Sequence, residues 1–377
     1  MTSPGDDGDL VPVTFVSSHA REGGAEQYLS LLLARLPEGW VREVVVLEDG
    51  PLVVELRAAG HPVTVIPTSP RLHGILRSAA ALRGRLRAAP DGVVHANGFK
   101  AALVSVVAGL GLRAPVVWVK HDFSYDGPRA RLVAGRCARV IGVSEAVTRA
   151  LGAAANGKVH VVPNAIAPVA VDPDEGRRRL LAELPPGTRA VVTLVGRLEP
   201  NKGHRELFAV APELAARVPA LRIAFVGGDH PSLPAYAEGL RREAAARRLP
   251  VSFLGRRVDA VELIAGSDAV VIPSVVTPSG IGRESFSYVG LEAMSVGTPV
   301  VAYADGGLPE LVGPCGELVE PGDREALAEA LVRVVTDEAR RARLAACGRA
   351  RSAERFSLER MVEETKERYR EAANGGR

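Results

Sequence analysis

The sequence predicts an α/β fold of two doubly wound domains facing across a cleft. Short Val-rich runs alternate with amphipathic stretches along most of the 377 residues. The alternation stops in the proline- and charge-rich stretch 159–190 and then restarts. Continuous apolar runs are typical of buried parallel strands, and the interruption indicates a domain boundary.

The elements follow in order along the chain. In the first half, strands are predicted at 11–18, 41–48, 63–67, 91–98, 115–122 and 139–145, and helices at 25–36, 51–60 and 75–89. In the second half, strands are predicted at 190–198, 221–228, 251–255, 268–274 and 299–303, and helices at 203–218, 259–267 and 326–335. A last helix over 357–373 begins at a Ser N-cap. These elements predict domains over 1–170 and 171–356, with 357–377 packing back on the first.

Composition excludes several classes of protein. Net charge is +3 and 24% of residues are charged, which suits a small anionic ligand and is too weak for nucleic acid. The N-terminus is acidic and polar, so no signal peptide is expected, and no apolar run is long enough to span a bilayer. The three cysteines are far apart and lack metal-ligand spacing, which favours a reduced, cytoplasmic protein without a metal.

Polar residues at predicted strand ends are candidates for ligand binding, since ligands of open α/β sheets sit there. In the first half, Gly23 and Gly24 precede a helix and can present backbone N–H groups to an anion. His121 and Asp122 follow one strand, His95 ends another, and His19 lies in the first loop. For His95 a structural, hydrogen-bonded histidine is the favoured alternative.

In the second half, Arg197 and Lys202 flank a loop that leads into a helix, an arrangement that suits a diphosphate. Arg256 follows another strand, where it can pack on a nucleobase. The alternative in each case is a solvated surface cation.

Glu284 and Glu292 stand eight positions apart in "RESFSYVGLEAMSVGTPVVA". On one continuous helix they would differ by about 80° in azimuth, a poor geometry for sharing a proton. A loop over 284–287 and a helix over 288–296 is the better prediction. Backbone N–H groups of Phe286, Ser287 and Tyr288 then face the same space, which suits a phosphorylated polyol. The alternative is a capping glutamate and a solvated one.

With these motifs in place, the chain resembles the retaining GT-B glycosyltransferases of glycosyltransferase family 4. The resemblance runs nearly end to end, through "GGAEQYLSLLLARL", "KHDF", "VGRLEPNKG" and the E-x7-E motif that begins at Glu284. It implies two Rossmann-like domains, an N-terminal one for the acceptor and a C-terminal one for a nucleotide-sugar donor, with UDP the expected nucleotide. The nucleotide-sugar is a co-substrate, and neither cofactor nor metal is expected.

The resemblance also implies roles for the candidates. Glu284 would accept from donor-sugar hydroxyls, Glu292 would hold the ribose, and Arg197 and Lys202 would neutralise the diphosphate. Gly23 and Gly24 would approach that diphosphate, and His121 would touch the donor sugar. Departures from the family pattern are Ser287 in place of a glycine, Ala167 in place of an aspartate, and the long loop 275–283. These three departures leave open which nucleotide-sugar is the donor.

The acceptor implied is a hydroxyl of a small molecule, such as a natural product. One alternative is a membrane-associated transferase with a lipid or polysaccharide acceptor, because residues 71–87 carry five Arg beside Leu72, Ile75 and Leu76 at helical spacing. That stretch is interpreted as an ordinary surface helix, since its apolar face is rich in alanine. Further alternatives are a nucleotide-sugar epimerase, a phosphorylase, and a two-lobed sugar-binding protein without catalysis.

Overall fold

The structure is a computed structural model that describes residues 10–21, 23–277, 280 and 282–375. Part of the long loop at 275–283 therefore lies outside the described residues, as does the acidic N-terminal stretch 1–9. The chain divides into two compact units, Met1–Ala165 with Leu358–Arg377, and Ile166–Ser357. Each unit is an α/β domain built on one parallel sheet, as the sequence predicts.

The N-terminal unit contains a seven-stranded parallel sheet of order β3-β2-β1-β4-β5-β6-β7. Its strands are β1 (Val13–Ser17), β2 (Val41–Val46), β3 (Val63–Val65), β4 (Val93–Asn97), β5 (Val116–Lys120), β6 (Arg139–Gly142) and β7 (Val159–Val161). Every residue of β1, β4 and β5 is buried, which explains their continuous apolar runs. The strand order reverses between β1 and β4, so ligands are expected where these two strands end.

Helices connect these strands: α1 (Gly24–Leu33), α2 (Pro51–Ala58), α3 (Leu72–Ala88), α4 (Phe99–Gly109), α5 (Pro128–Arg136) and α6 (Glu145–Thr148), followed by a 3-10 helix (Arg149–Ala155). Helix α3 is the basic stretch discussed above. Arg83 donates to the carbonyls of Ala108 and Leu110, and Arg85 pairs with Glu43. Two of the five arginines of residues 71–87 are thus bound within the domain, while Leu72 and Leu76 are exposed.

The C-terminal unit contains a six-stranded parallel sheet of order β10-β9-β8-β11-β12-β13. Its strands are β8 (Ala190–Val195), β9 (Leu221–Val226), β10 (Val251–Gly255), β11 (Ala269–Ile272), β12 (Val300–Tyr303) and β13 (Glu317–Val319). Its helices are α7 (Pro173–Ala182), α8 (His204–Arg217), α9 (Pro234–Ala246), α10 (Ala260–Ala265), α11 (Tyr288–Val296), α12 (Leu308–Val312), α13 (Arg324–Thr336) and α14 (Glu338–Arg355). The order reverses between β8 and β11.

The final helix, α15 (Leu358–Asn374), belongs to the N-terminal unit. Its buried Tyr369 lies among Phe15, Trp40 and His95, with ring centroids 5.9–6.3 Å away. The helix is strongly amphipathic in sequence, so burial of one apolar face ties the end of the chain to the first domain.

Two sequence expectations need correction. The stretch 159–190 is not without regular structure: it contains β7 and α7, and the units divide at residues 165 and 166. The three-residue β7 at the sheet edge is too short to show a period. The cysteines are not all reduced, because Cys315 and Cys347 form a disulfide with Cα atoms 5.1 Å apart. Cys137 is buried and free, and burial raises the pKa of its thiol to about 12.

A search of the described residues finds no helix with the length and apolarity needed to cross a membrane. Within the same residues, no group of three or more His, Cys, Asp or Glu side chains is arranged to hold a metal ion.

Candidate functional site

Two loops meet where β8 and β11 end, at the switch point of the C-terminal sheet. The loop after β8 includes a 3-10 helix, Pro200–Lys202, and the carbonyl of Asn201 accepts from the Val275 N–H at 2.9 Å. Gly203 has φ +75°, and a Cβ there would lie 1.9 Å from the Pro273 carbonyl oxygen. Only glycine fits this position, and it lets the two loops approach closely.

Glu284 lies within this junction and is held through both its side chain and its backbone. Its Oε1 accepts from Lys202 Nζ and from Ser274 Oγ, each at 2.8 Å. Its backbone carbonyl accepts from the Gly307 N–H at 2.7 Å. Gly306 has φ +62°, and an added Cβ would lie 2.0 Å from that same carbonyl. Among the described residues both side-chain donors bind Oε1, so Oε2 is the carboxylate oxygen that these donors leave for a ligand.

Lys202 is largely enclosed, with 28% of its side chain exposed. Burial lowers the pKa of this ammonium, but the ion pair and hydrogen bond with Glu284 outweigh burial and raise the pKa above its usual value. The sequence-predicted cation is therefore fully charged and fixed in position. The sequence did not predict that Glu284 would be the group that fixes it.

Arg197 is held less firmly than Lys202. Its side chain is 55% exposed and its Nη2 lies 3.8 Å from Glu199 Oε1, a long contact. Arg256 is also exposed and follows β10 at the same edge of the sheet. An added Cβ on Gly228 would lie 3.4 Å from Arg256 Cβ, which places Arg256 beside the end of β9.

The predicted division of the E-x7-E motif into a loop and a helix is confirmed, since α11 begins at Tyr288 and ends at Val296. Ser287 is the N-cap, and its Oγ accepts from the Gly290 N–H at 3.1 Å. Phe286 is 8% exposed, and its ring packs edge-on against Tyr288 and Phe356. Ser287 therefore uses its hydroxyl oxygen to start the helix, an N-terminal signal that the Ser-cap rule could have found.

Glu292 lies one turn inside α11. Among the described residues its carboxylate has no hydrogen-bond or ion-pair partner, and burial alone raises its pKa to about 7. A half-buried carboxylate without a protein donor is costly unless a ligand supplies one. Glu284 and Glu292 thus occupy different surroundings, one paired with a lysine and one unpaired.

In the N-terminal unit, Glu48 collects several donors that the sequence did not single out. It accepts from the Ala20 N–H at 3.1 Å and from His19 Nδ1 at 3.2 Å, and it lies 3.4 Å from Arg21 and 3.8 Å from Lys100. Burial raises the pKa of Glu48, but these donors and charges outweigh it and lower the pKa overall. His19 is exposed and anchored by this glutamate.

Gly23 caps α1 without a side chain, as expected of a glycine loop before a helix. The carboxylate of Glu26 lies close by, since an added Cβ on Gly23 would come 2.7 Å from Glu26 Oε2. Burial raises the pKa of Glu26. A carboxylate at this helix start weakens the argument for an anion at Gly23 and Gly24.

His121 lies at the end of β5 and is buried. Its Nε2 is 2.6 Å from Asn97 Oδ1, and the Asn97 amide nitrogen donates to the Ala25 carbonyl at 3.0 Å. That second bond fixes the amide, so Nε2 must carry the proton and Nδ1 is the ring's acceptor. Burial lowers the pKa of His121 to about 4, so the imidazole is neutral at pH 7.

The acceptor-side assignment of His95 is corrected by the structure. His95 is fully buried and its Nδ1 lies 2.6 Å from the Tyr369 hydroxyl. Burial lowers its pKa to about 3. This histidine joins β4 to α15 and is structural, the interpretation that the sequence favoured.

Asp122 is exposed beside His121, and its Oδ1 accepts from the Ser124 N–H at 2.9 Å. The preceding Lys120 is 1% exposed, pairs with Asp126 Oδ1 at 2.7 Å and donates to the Asp122 carbonyl. A buried lysine at a strand end has no sequence signal of its own.

Comparisons with known proteins agree with this architecture. A family model described as "Glycosyltransferase Family 4" matches residues 22–169, and one described as "Glycosyl transferases group 1" matches residues 189–337. Each match covers most of one of the two domains.

The chain is also similar to curated bacterial enzymes over part of its length. It is 35% identical over 179 residues to a GDP-mannose-dependent monoacylated alpha-(1-6)-phosphatidylinositol monomannoside mannosyltransferase of Corynebacterium glutamicum, covering 47% of this chain and 46% of that protein. It is 37% identical over 203 residues to a D-inositol 3-phosphate glycosyltransferase of Nocardioides sp., covering 50% and 43%. The chain thus spans about half the length of these relatives.

A solved structure matches over nearly the whole chain. The Anabaena protein HepE in complex with UDP and glucose superposes with a TM-score of 0.79 at 25% identity, covering 95% of this chain and 98% of HepE. Its complex with UDP gives a TM-score of 0.81 at 26% identity, covering 94% and 98%.

Proposed function

We propose that this chain, whose two domains match glycosyltransferase family models, is a GT-B glycosyltransferase that transfers a hexose from a nucleoside-diphosphate sugar to a hydroxyl of a small-molecule acceptor. We propose further that it retains the anomeric configuration, as family 4 enzymes do, and needs no metal. The observation that carries the proposal is the cluster of Lys202, Ser274 and Glu284 at the switch point of the C-terminal sheet, together with Glu292 one turn into α11, whose carboxylate has no partner within the part of the chain that the structure describes.

Donor binding follows from the groups in this cluster. Lys202 supplies a fixed positive charge for the diphosphate, and exposed Arg197 supplies a second one that can move toward it. Oε2 of Glu284 accepts from a hydroxyl of the sugar, because Oε1 is already occupied. Glu292 accepts from the ribose hydroxyls, which provides the donors that its carboxylate lacks.

The chemistry needs stabilisation of a leaving anion. As the bond between the anomeric carbon and the diphosphate breaks, negative charge grows on the phosphate oxygens. Lys202 and Arg197 are placed to neutralise it, and pre-positioned charges of this kind lower the barrier without reorganisation. The acceptor hydroxyl attacks the same face of the sugar, and its proton passes to the departing phosphate oxygen.

The N-terminal unit is assigned to the acceptor. Neutral His121 accepts through Nδ1 from a hydroxyl near the reacting carbon, and exposed Asp122 and His19 complete the polar edge of this domain. The glycine loop at Gly23 and Gly24 is proposed to approach the diphosphate through backbone N–H groups.

UDP is the preferred nucleotide in this proposal, because HepE binds UDP and matches this chain over nearly its full length. GDP is the second candidate, since the Corynebacterium relative is named for GDP-mannose. Thermal-shift measurements with UDP, GDP, ADP and TDP should show the largest shift for one nucleoside diphosphate. A rise in melting temperature with a free sugar, without any rise with the nucleotides, would instead favour a sugar-binding protein.

A second candidate function is transfer to a lipid acceptor at a membrane. It is favoured by the exposed Leu72 and Leu76 on α3 and by the phosphatidylinositol mannoside named for the Corynebacterium relative. Internal bonding of Arg83 and Arg85 weakens it, because those cations are already used. Flotation with anionic liposomes decides between the two: firm binding that Leu72→Asp abolishes would favour the lipid acceptor.

A further inference from the structure

Tyr125 has an unusual backbone conformation for a bulky residue. Its φ is +60°, in the left-handed region, and the residue is 56% exposed. A non-glycine residue pays about 1–2 kcal/mol to adopt this conformation. Such strain persists where the surrounding structure holds it, and it is enriched at functional sites.

The segment that carries Tyr125 is pinned at its base. The segment follows β5 of the N-terminal unit, the unit assigned to the acceptor, and begins with His121 and Asp122. Buried Lys120 pairs with Asp126 at 2.7 Å, and the Ser124 N–H donates to Asp122 Oδ1 at 2.9 Å. These bonds anchor the residues on both sides of Tyr125.

The ring itself rests on a second aromatic side chain. Tyr125 stacks on Phe99 with centroids 4.5 Å apart and an interplanar angle of 17°. Phe99, the first residue of α4, packs edge-on against Trp118, which is 1% exposed. The stack therefore runs from the core of the domain to its surface, and the outer face of Tyr125 is exposed.

We propose that the Tyr125–Phe99 stack is the acceptor subsite for a ring-shaped polyol, a pyranose or a cyclitol. This inference rests on the proposed function and names its acceptor class. Such a ring has an apolar C–H face that packs on the electron-rich face of an aromatic ring, and a hydroxyl edge. Asp122 lies next to the platform and accepts from those hydroxyls.

A nucleobase is the other flat ligand that could stack on Tyr125. The neighbouring charge argues against it, because the exposed carboxylate of Asp122, three residues before Tyr125, would repel the phosphates of a nucleotide, whereas Asp126 is neutralised by Lys120. A neutral polyol meets no such repulsion, and its hydroxyls donate to carboxylates. The platform thus selects the acceptor and leaves nucleotide binding to the other domain.

The test uses the full chain with the donor chosen by thermal shift, and compares Tyr125→Ala, Tyr125→Gly and Tyr125→Phe. Methyl α-glucoside and myo-inositol serve as ring acceptors, and glycerol as the acyclic one, with release of nucleoside diphosphate as the readout. Tyr125→Ala and Tyr125→Gly should raise the acceptor KM at least about tenfold for the ring compounds, and Tyr125→Phe should not. Affinity for the nucleoside diphosphate should stay unchanged in all three.

Tyr125→Gly is also the folding control, because glycine adopts φ +60° without strain and this gain offsets the loss of the stack on Phe99. Saturation-transfer NMR with methyl α-glucoside and myo-inositol tests the platform without turnover, so it separates this inference from the proposed function. If the C–H protons of these ligands are saturated with wild type and not with Tyr125→Ala, the ligands bind at Tyr125. This result supports the subsite even if the protein consumes no donor. Equal acceptor KM and equal saturation in wild type and Tyr125→Ala would overturn it, as would weaker nucleotide binding in the variant.

Discussion

Lys202 and Glu284 form an ion pair of 2.8 Å although they are 82 residues apart in the chain. The lysine follows β8 and the glutamate precedes α11, so the pair joins the two sides of the switch point. Ser274 donates to the same carboxylate oxygen from the end of β11. A cation and an anion that would each contact the donor therefore hold each other in place before it binds.

Replacement of Lys202 by Met should impair both catalysis and stability. Loss of one pre-positioned charge at the leaving group should lower kcat by roughly 10²–10³. Loss of the partly buried pair should lower the free energy of unfolding by about 1–3 kcal/mol, because Glu284 loses its cation. Steady-state kinetics and urea denaturation measure the two effects.

Arg343→Met is the matched control, since Arg343 is an exposed cation on α14 of the same unit. Arg343→Met should change neither kcat nor the free energy of unfolding appreciably. Unchanged kcat in Lys202→Met, with the expected loss of stability, would make the lysine purely structural.

Nucleotide binding should release a proton near neutral pH because of Glu292. Its pKa is about 7 in the free protein, and ribose hydroxyls that donate to the charged carboxylate should lower it. Titration calorimetry at pH 7 in buffers of different ionisation enthalpy measures the released proton. The release should vanish in Glu292→Gln and persist in Glu238→Gln, an exposed glutamate of α9.

The same raised pKa has a consequence for stability. A carboxyl whose pKa is higher in the folded than in the unfolded protein stabilises the fold at low pH, and this contribution is lost as pH rises from about 4.5 to 7. Wild type should therefore lose more stability over this window than Glu292→Gln. Parallel pH curves for the two proteins would contradict the buried position of Glu292.

Ser287 is expected to act through the helix that it caps. Ser287→Ala removes the acceptor for the Gly290 N–H and should lower the free energy of unfolding by about 1 kcal/mol, whereas Ser287→Gly should cost only a few tenths. The cap variant Asp323→Ala on α13 gives a comparison distant in sequence. A several-fold change in the preference between donor sugars, without loss of stability, would instead assign Ser287 to the sugar pocket.

The disulfide between Cys315 and Cys347 should contribute to stability by an amount that rises slowly, as a logarithm, with the length of the loop that it closes. A sequence separation of 32 residues corresponds to about 3–4 kcal/mol in the chain-entropy model. Denaturation of wild type and Cys347→Ser without reductant should show this difference, and dithiothreitol should abolish most of it. Three titratable thiols in the unfolded, unreduced protein would show that the bond does not form.

The sequence predicted those features of the site that depend on local pattern. The strand ends, the loop before α8 and the start of α11 after Ser287 follow from apolar runs and helix periodicity. Pairing of Lys202 with Glu284 depends on the order of strands in the sheet, which no short stretch encodes. Burial of Lys120 and the donors around Glu48 depend on packing in the same way.

The sequence also could not tell a structural histidine from one that is free to bind a ligand, because both roles use the same residue type. The sequence placed His95 and His121 at strand ends, but His95 lies in the middle of β4 and is buried against Tyr369 of α15. His121 is oriented by Asn97 toward a hydrogen-bond role. The distinction comes from the last helix, which lies more than 200 residues later in the chain.

The most direct test of the account compares the affinity of Glu284→Gln and Glu292→Gln for the preferred nucleoside diphosphate by titration calorimetry. Glu292→Gln should weaken binding roughly tenfold or more, because the ribose loses a charged acceptor. Glu284→Gln should bind as tightly as wild type, since it leaves Lys202 free for the diphosphate, and should nevertheless lose nearly all transfer activity. Wild-type affinity in Glu292→Gln, or a larger loss of affinity in Glu284→Gln than in Glu292→Gln, would contradict the division of the two glutamates between ribose and sugar.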